Sequence, residues 1–187
     1  RMNTRVGVDV TPDELLHDYD AVVLAVGMSK VPMLGIDGEE LNGVFDAIDF
    51  VEATKNTPDL DESFIGKRVA VIGAGNTAID AATCSVRLGA EHVQIVYRRT
   101  LEEMTAYDFE YEFAKLDGVA FQWLTAPKRI LGDEQGNVVG IECVRMQLVD
   151  ADIGGRKRPV PLADSEFVIE VDAVIKAIGQ TKHISLI

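Results

Sequence analysis

The sequence predicts an α/β fold: a doubly wound parallel sheet that carries an antiparallel β-meander as an insert. Three observations lead there. The stretch "RVAVIGAGNTAIDAATCSVRLGA" is an apolar strand, a glycine turn and an Ala-rich helix in direct succession. Together with the strand, helix and strand that follow, it makes the order β-α-β-α-β, which requires a parallel sheet with right-handed crossovers. The alternation then stops, and "KRIL", "VVGIECVRMQL" and "EFVIEVDAVIKAIG" follow one another with only turns between them, the chain returning to the sheet through "VDAVIKAIG".

Taken in order, the elements have local causes. "TPDELL" is a helix start, with Thr11 as cap, Pro12 at the first helical position and Glu14 closing a capping box. "YDAVVLAVG" reads as a buried strand ending at Gly27, and residues 28–42 as a connecting loop. "VFDAIDFVEATKN" places Val44, Phe45, Ile48 and Val51 at helical spacing. "TPDLDESFIGKR" is a polar connector. The helix after the glycine turn is expected to stop at Gly89, and the helix "AYDFEYEFAKLDG" at Gly118. "HVQIVYRRT" and "VAFQWLTA" are the second and third strands. "GDEQGN" is a hairpin turn and "ADIGGRKRP" a longer loop. In the meander, Val144, Met146 and Leu148 alternate with Arg145 and Gln147, the pattern of a half-buried antiparallel strand.

Composition excludes several functions. The chain has 187 residues, 47% of them hydrophobic, and a net charge of −13. That charge argues against a nucleic-acid or anionic-membrane surface. No apolar run is long enough for a membrane span and no start resembles a signal peptide, so cytoplasm is the expected location. Cys84 and Cys143 form no C-x-x-C pair, which removes a dithiol or iron–sulfur site from these residues. Both are expected to act as small hydrophobes. His17, His92 and His183 are scattered, and no metal site is expected.

The chemistry-bearing motif is "VAVIGAGNTAID", with glycine pattern Gly73-x-Gly75-x-x-Ala78. Gly73 permits the tight turn, Gly75 lets a pyrophosphate approach the backbone across Ala74, and Ala78 lets the helix pack on the strand. The N–H groups near Asn76 and Thr77 then face phosphates, helped by the helix dipole. Together with the strand before it and the helix after it, the motif predicts a Rossmann-like dinucleotide site.

An NAD or FAD site usually carries an acid at the end of the second strand, about 20 residues on. That place holds Tyr97, Arg98 and Arg99. Two guanidinium groups suit a 2′-phosphate, so the expected cofactor is NADP(H). The alternative for Arg98-Arg99 is a solvated strand end. Tyr97 either stacks on adenine or packs. Asp80 is expected to be structural. Tyr111 and Lys115 have the Tyr-x-x-x-Lys spacing of short-chain dehydrogenases but stand too close to the glycine turn, and read as one face of a surface helix.

Taken together, "TPDELLHDYDAVVLAVG", "GVFDAIDFV", "VAVIGAGNTAIDAA", "VYRR", "EEM" and "VDAVIKAIGQ" resemble, in this order and over essentially the whole chain, the NADPH-dependent flavoprotein reductases of the glutamate synthase small-subunit type, with the reductase half of dihydropyrimidine dehydrogenase among their relatives. The resemblance implies an FAD-binding domain interrupted by an NADPH domain. On it, residues 1–30 are a remnant of the FAD domain, 31–65 a connector, 66–180 the NADP(H)-binding domain, and 181–187 the start of the return to the FAD domain. It also explains why "DAVVLAVG" and "DAVIKAIG" look alike: each would end beside its own dinucleotide. Ala177, Ile178 and Gly179 would then pass near the nicotinamide. The FAD fingerprint would lie outside these residues, which makes the chain an excised fragment on this reading.

Electrons would leave through iron–sulfur centres, upstream or in a partner, toward a large catalytic subunit. No catalytic side chain is expected. Relatives often have proline where Thr105 stands and Pro-Gly where Asp37-Gly38 stands, and neither departure is expected to touch the glycine turn. The rival functions are an NADP-binding regulatory module and a self-sufficient NADP-dependent dehydrogenase.

Overall fold

The protein was analysed as a computed structural model, which describes residues 1–25, 27–57, 60, 62–150 and 155–182. It divides into two compact units, one of Arg1–Ser29 with the chain from Thr181 onward, the other of Lys30–Gln180.

In the first unit, helix α1 (Pro12–Asp18) begins with the expected capping box. Thr11 Oγ1 accepts from the Glu14 N–H at 3.2 Å, and the Glu14 carboxylate accepts from the Thr11 N–H at 2.7 Å. Strands β1 (Met28–Lys30) and β10 (Thr181–Lys182) form a two-stranded pair. The strand expected over residues 19–27 is not present among the described residues. Val23 and Leu24 are 87% and 61% exposed. An apolar run becomes a buried strand only when a neighbour takes its backbone N–H and C=O groups, and no described strand lies beside it.

The second unit is layered. Its sheet runs β2 (Val44–Asp46), β9 (Ala173–Lys176), β3 (Arg68–Ile72), β4 (His92–Val96), β5 (Ala120–Gln122) in spatial order, and every pair is parallel. Along β3 the side chains alternate between faces, as strand geometry requires. Val69 and Val71 meet helices α2 (Ala47–Asn56), α4 (Asn76–Arg87) and α5 (Asp108–Leu116). Ala70 and Ile72 meet Ile130, Val138, Ile141 and Cys143 of the meander. The meander is β6 (Thr125–Gly132), β7 (Val138–Val149) and β8 (Arg158–Glu170), antiparallel and in that order. A short helix α3 (Glu62–Ile65) precedes β3.

Both faces of the sheet are therefore covered, which is why its strands are apolar almost throughout. Ala78, Ala81, Ala82 and Ser85 lie, with Ile79 and Thr83, on the buried face of α4. Their small size lets the helix lie close to the sheet. Gly89 (φ 101°) and Gly118 (φ 92°) end α4 and α5 as expected, each followed by an N–H that reaches back into the last turn.

One predicted element of this unit changes. Val44 and Phe45 are strand, not helix. They pair with Val174 and Ile175 at the sheet edge, and α2 begins directly after Asp46, whose side chain makes no capping hydrogen bond. Residues 31–65 thus supply β2 and α2 to this unit. "EFVIEVDAVIKAIG" divides into β8 and β9 at Val171–Asp172, and β9 makes the return to the parallel sheet expected of "VDAVIKAIG". The break has a cause: the Asp172 carboxylate accepts from the N–H groups of Lys67 (3.0 Å) and Arg68 (2.9 Å) and from the Arg68 guanidinium (2.7 Å), which aims β9 alongside β3.

Candidate functional site

Parallel strands present their carboxyl ends on one edge, and a cavity of about 490 Å³ opens there in the second unit, at the ends of β9, β3 and β4. Gly73 forms its floor. It has φ 126°, and a Cβ there would lie 2.2 Å from the Ala177 carbonyl oxygen, so a glycine is required both by conformation and by space. Gly73 N–H donates to Val96 O (3.0 Å) and Ala177 N–H to Ile72 O (2.8 Å), which ties the three strand ends together.

The start of α4 faces this floor. Its cap residue is Gly75, no side chain caps it, and no acid stands in its first turn. Ala78 and Ile79 turn their N–H groups back to Gly75 O, while no described group accepts from the N–H of Asn76 or Thr77. Helix starts left in this state attract anions. Thr105 roofs the turn: its N–H donates to Ala74 O at 3.2 Å, and its Oγ1 would be the nearest atom, at 3.4 Å, to a Cβ on Gly75. Thr105 therefore touches the glycine turn, contrary to the expectation from the sequence. A proline here would have no N–H to donate.

At the end of β4, Tyr97 packs. Its ring meets Trp123 edge-on and its hydroxyl donates to Glu103 O at 2.8 Å. Arg98 is exposed and Arg99 half-buried, and both line the cavity. Arg99 Nε donates to Lys157 O at 3.4 Å. The nearby acid, Glu103, is occupied otherwise: its carboxylate accepts from the Thr100 hydroxyl (2.5 Å) and N–H (3.2 Å), which holds its carboxyl below the ordinary value.

The opposite wall is the loop bearing Val31, Leu34 and Ile36. Glu39 organises it by accepting from the N–H groups of Leu34 (2.9 Å), Gly35 (2.5 Å) and Ile36 (3.1 Å). The same carboxylate lies 3.4 Å from Nζ of Lys176, and Asp46 Oδ1 lies 2.9 Å from it. Lys176 and Glu39 are both buried. Burial opposes the charge on Glu39, but the three N–H groups and the ammonium outweigh it and lower its pKa.

Residues 3–187 match the family described as pyridine nucleotide-disulphide oxidoreductase. The chain belongs to this family. It is 41% identical over its full length to the NADP(+)-dependent formate dehydrogenase subunit beta of Moorella thermoacetica, and 40% identical over 98% of its length to the NADPH glutamate synthase small chain of Escherichia coli. It spans only 26% and 40% of those two proteins. Among solved structures, FprA of Mycobacterium tuberculosis in complex with NADPH superposes with a TM-score of 0.76 at 26% identity, over 95% of this chain and 54% of FprA. The glutamate synthase small-subunit resemblance and the fold class read from the sequence are thus both met.

In this pyridine nucleotide-disulphide oxidoreductase chain, nine of the eleven residues singled out from the sequence line the cavity: Gly73, Ala74, Gly75, Thr77, Arg98, Arg99, Ala177, Ile178 and Gly179. Asn76 and Ala78 do not. Asn76 Oδ1 accepts from Tyr107 N–H at 3.2 Å, and Ala78 is on the buried face of α4, in the packing position its size suggested. Asp80 is exposed outside the cavity. Lys115 lies over the Tyr111 ring and pairs with Glu112, also away from it. Cys84 and Cys143 pack on opposite faces of the sheet. Sequence reasoning missed Thr105, Glu39, Lys176 and Arg156. For Arg156 a signal existed, the basic run "GRKR" in an acidic chain. For the pairing of Glu39 with Lys176 none did, because the two residues lie 137 positions apart.

Proposed function

We propose that this cavity binds NADPH, and that the chain is the NADPH-binding part of a flavoprotein oxidoreductase in which the reduced nicotinamide reduces FAD held by the rest of the intact protein. One observation carries the reading: a glycine turn, an acid-free helix start and two guanidinium groups converge on one cavity, while no carboxylate stands at the end of β4. The residues fit the group. Gly73 and Gly75 leave backbone exposed where a pyrophosphate must come close, and Asn76 and Thr77 supply N–H donors to it. Arg98 and Arg99 would hold the 2′-phosphate. Ala177, Ile178 and Gly179 would border the nicotinamide.

Bound NADPH supplies the hydride, so the protein's contribution is orientation. Glu39 and Lys176 fix the two walls between which the cofactor lies. No residue of the cavity is assigned a proton-transfer role. On this reading residues 1–30 and 181–187 belong to the FAD domain, and the protein works in the cytoplasm. Electrons pass from FAD to a partner subunit, as the "subunit beta" and "small chain" names of its relatives suggest, and the iron–sulfur centres of that route lie outside these residues.

Titration with NADPH and NADH tests the cofactor assignment. Wild type should prefer NADPH, and Arg98→Ala/Arg99→Ala should lose roughly 10²-fold in NADPH affinity while NADH binding holds, since each charge-assisted contact is worth about 1.5–3 kcal/mol. Equal affinity for the two nucleotides in wild type would refute it.

A further inference from the structure

The meander insert brings a third guanidinium to the cavity. Arg156 comes from the turn that leads into β8, 57 residues after Arg99 in the chain, yet it lines the same cavity as Arg98 and Arg99. Its placement is not casual. Nη2 donates to Tyr97 Oη at 3.2 Å and to the Glu103 carbonyl oxygen, the same oxygen that Tyr97 itself contacts. Arg99 Nε reaches across to Lys157 O, so the two turns are joined from both sides. Among the described residues, Arg156 hydrogen-bonds through Nη2 alone, which leaves Nη1 and Nε to donate elsewhere.

Electrostatics supplies the second argument. Among the described residues none of Arg98, Arg99 and Arg156 is in ion-pair distance of a carboxylate. The chain carries 31 acidic residues against 18 basic ones, so such partners are plentiful. The Glu103 carboxylate attracts Arg156 through space but is itself held by Thr100, so the positive charge gathered at the cavity still favours an anion that joins the three guanidiniums. A phosphate is the anion whose geometry matches guanidinium forks.

We infer that Arg156 is a specificity-determining residue of this site: it contacts the 2′-phosphate of the nucleotide together with Arg98 and Arg99, and Tyr97 and Glu103 hold it in position to do so. The inference rests on the cofactor reading above.

The test compares NADPH and NADH binding by titration calorimetry in wild type, Arg156→Ala, Arg156→Lys and Arg98→Ala/Arg99→Ala, using the 187-residue chain. Arg156→Ala should lower NADPH affinity roughly 10-fold or more and leave NADH affinity unchanged. Arg156→Lys should recover part of the loss, as a charge without the fork. Removing one phosphate contact should also flatten the salt dependence of NADPH binding. If Arg156→Ala weakens both nucleotides equally, or neither, Arg156 is only a latch between two turns and the inference is overturned. Loss of discrimination in Arg98→Ala/Arg99→Ala without any in Arg156→Ala would overturn this inference alone. A wild type that does not discriminate would instead overturn the cofactor reading beneath it.

Discussion

Gly73 and Gly75 stand two apart in one turn and answer to different constraints. Gly73 has a left-handed φ of 126° and no room for a methyl group against Ala177 O. Gly73→Ala should cost on the order of 3 kcal/mol of stability, from strain and overpacking together. Gly75 has φ −97°, which any residue adopts, and only Thr105 Oγ1 near its missing Cβ. Gly75→Ala should unfold within about 1 kcal/mol of wild type yet bind NADPH more weakly, because its methyl group would occupy the approach to the backbone. Urea unfolding and nucleotide titration of the two variants separate the roles; a stable Gly73→Ala would contradict the packing argument. Cys143 gives a residue-scale check of the core. It is fully buried between sheet and meander, and burial pushes its thiol pKa up to about 12. It should resist iodoacetamide at pH 8 in the folded protein and react once the protein is unfolded in urea, as peptide mapping would show.

At the scale of elements, β9 is held by charge as well as by apolar packing. Lys176, at its end, faces two carboxylates from residues 39 and 46. Replacing a buried pair by apolar groups can be neutral, but removing one partner is costly because the other charge stays buried. Lys176→Met should therefore cost about 3–5 kcal/mol in chemical denaturation, and Lys176→Met with Glu39→Gln should recover part of it. A double variant no better than the single would mean that packing, not charge, dominates. The pH dependence follows from Glu39. Its folded pKa lies below the ordinary 4.5, so its contribution is fully present above that value and is lost as pH falls through the lowered folded pKa. Wild type should lose stability on acidification below about pH 4.5 more steeply than Glu39→Gln, measured as denaturation midpoint against pH.

For the molecule as a whole, Lys30–Gln180 contains both hydrophobic clusters and every cavity-lining residue. A unit with its own core is expected to fold alone. The polypeptide 30–180 should melt in one cooperative transition and keep its NADPH affinity within about threefold, which is under 1 kcal/mol. A broad, non-cooperative melt followed by circular dichroism would show that residues 1–29 or 181–187 are needed for the fold. No described helix is long and apolar enough to cross a membrane.

Features that depend on near neighbours were legible in the amino-acid order alone. The β3–turn–α4 unit, the stops at Gly89 and Gly118, the Thr11 capping box and the arginine pair after β4 all follow from residues a few positions apart, whose steric and hydrogen-bonding preferences act locally. Features that need a distant partner emerged with the folded chain. Val44–Asp46 became a strand because β9 offers it an edge, and the point where β8 ends and β9 begins is set by Asp172, which binds the start of β3. Val22–Leu24 has every local feature of a strand, yet no described strand pairs with it. The cavity divides in the same way. Gly73, Gly75, Arg98 and Arg99 announce themselves by spacing, whereas Thr105, Arg156 and the Glu39–Lys176 pair acquire their roles only when folding brings them against Ala74, Tyr97 and each other. A charge or a hydroxyl means little until the chain has chosen what stands opposite it.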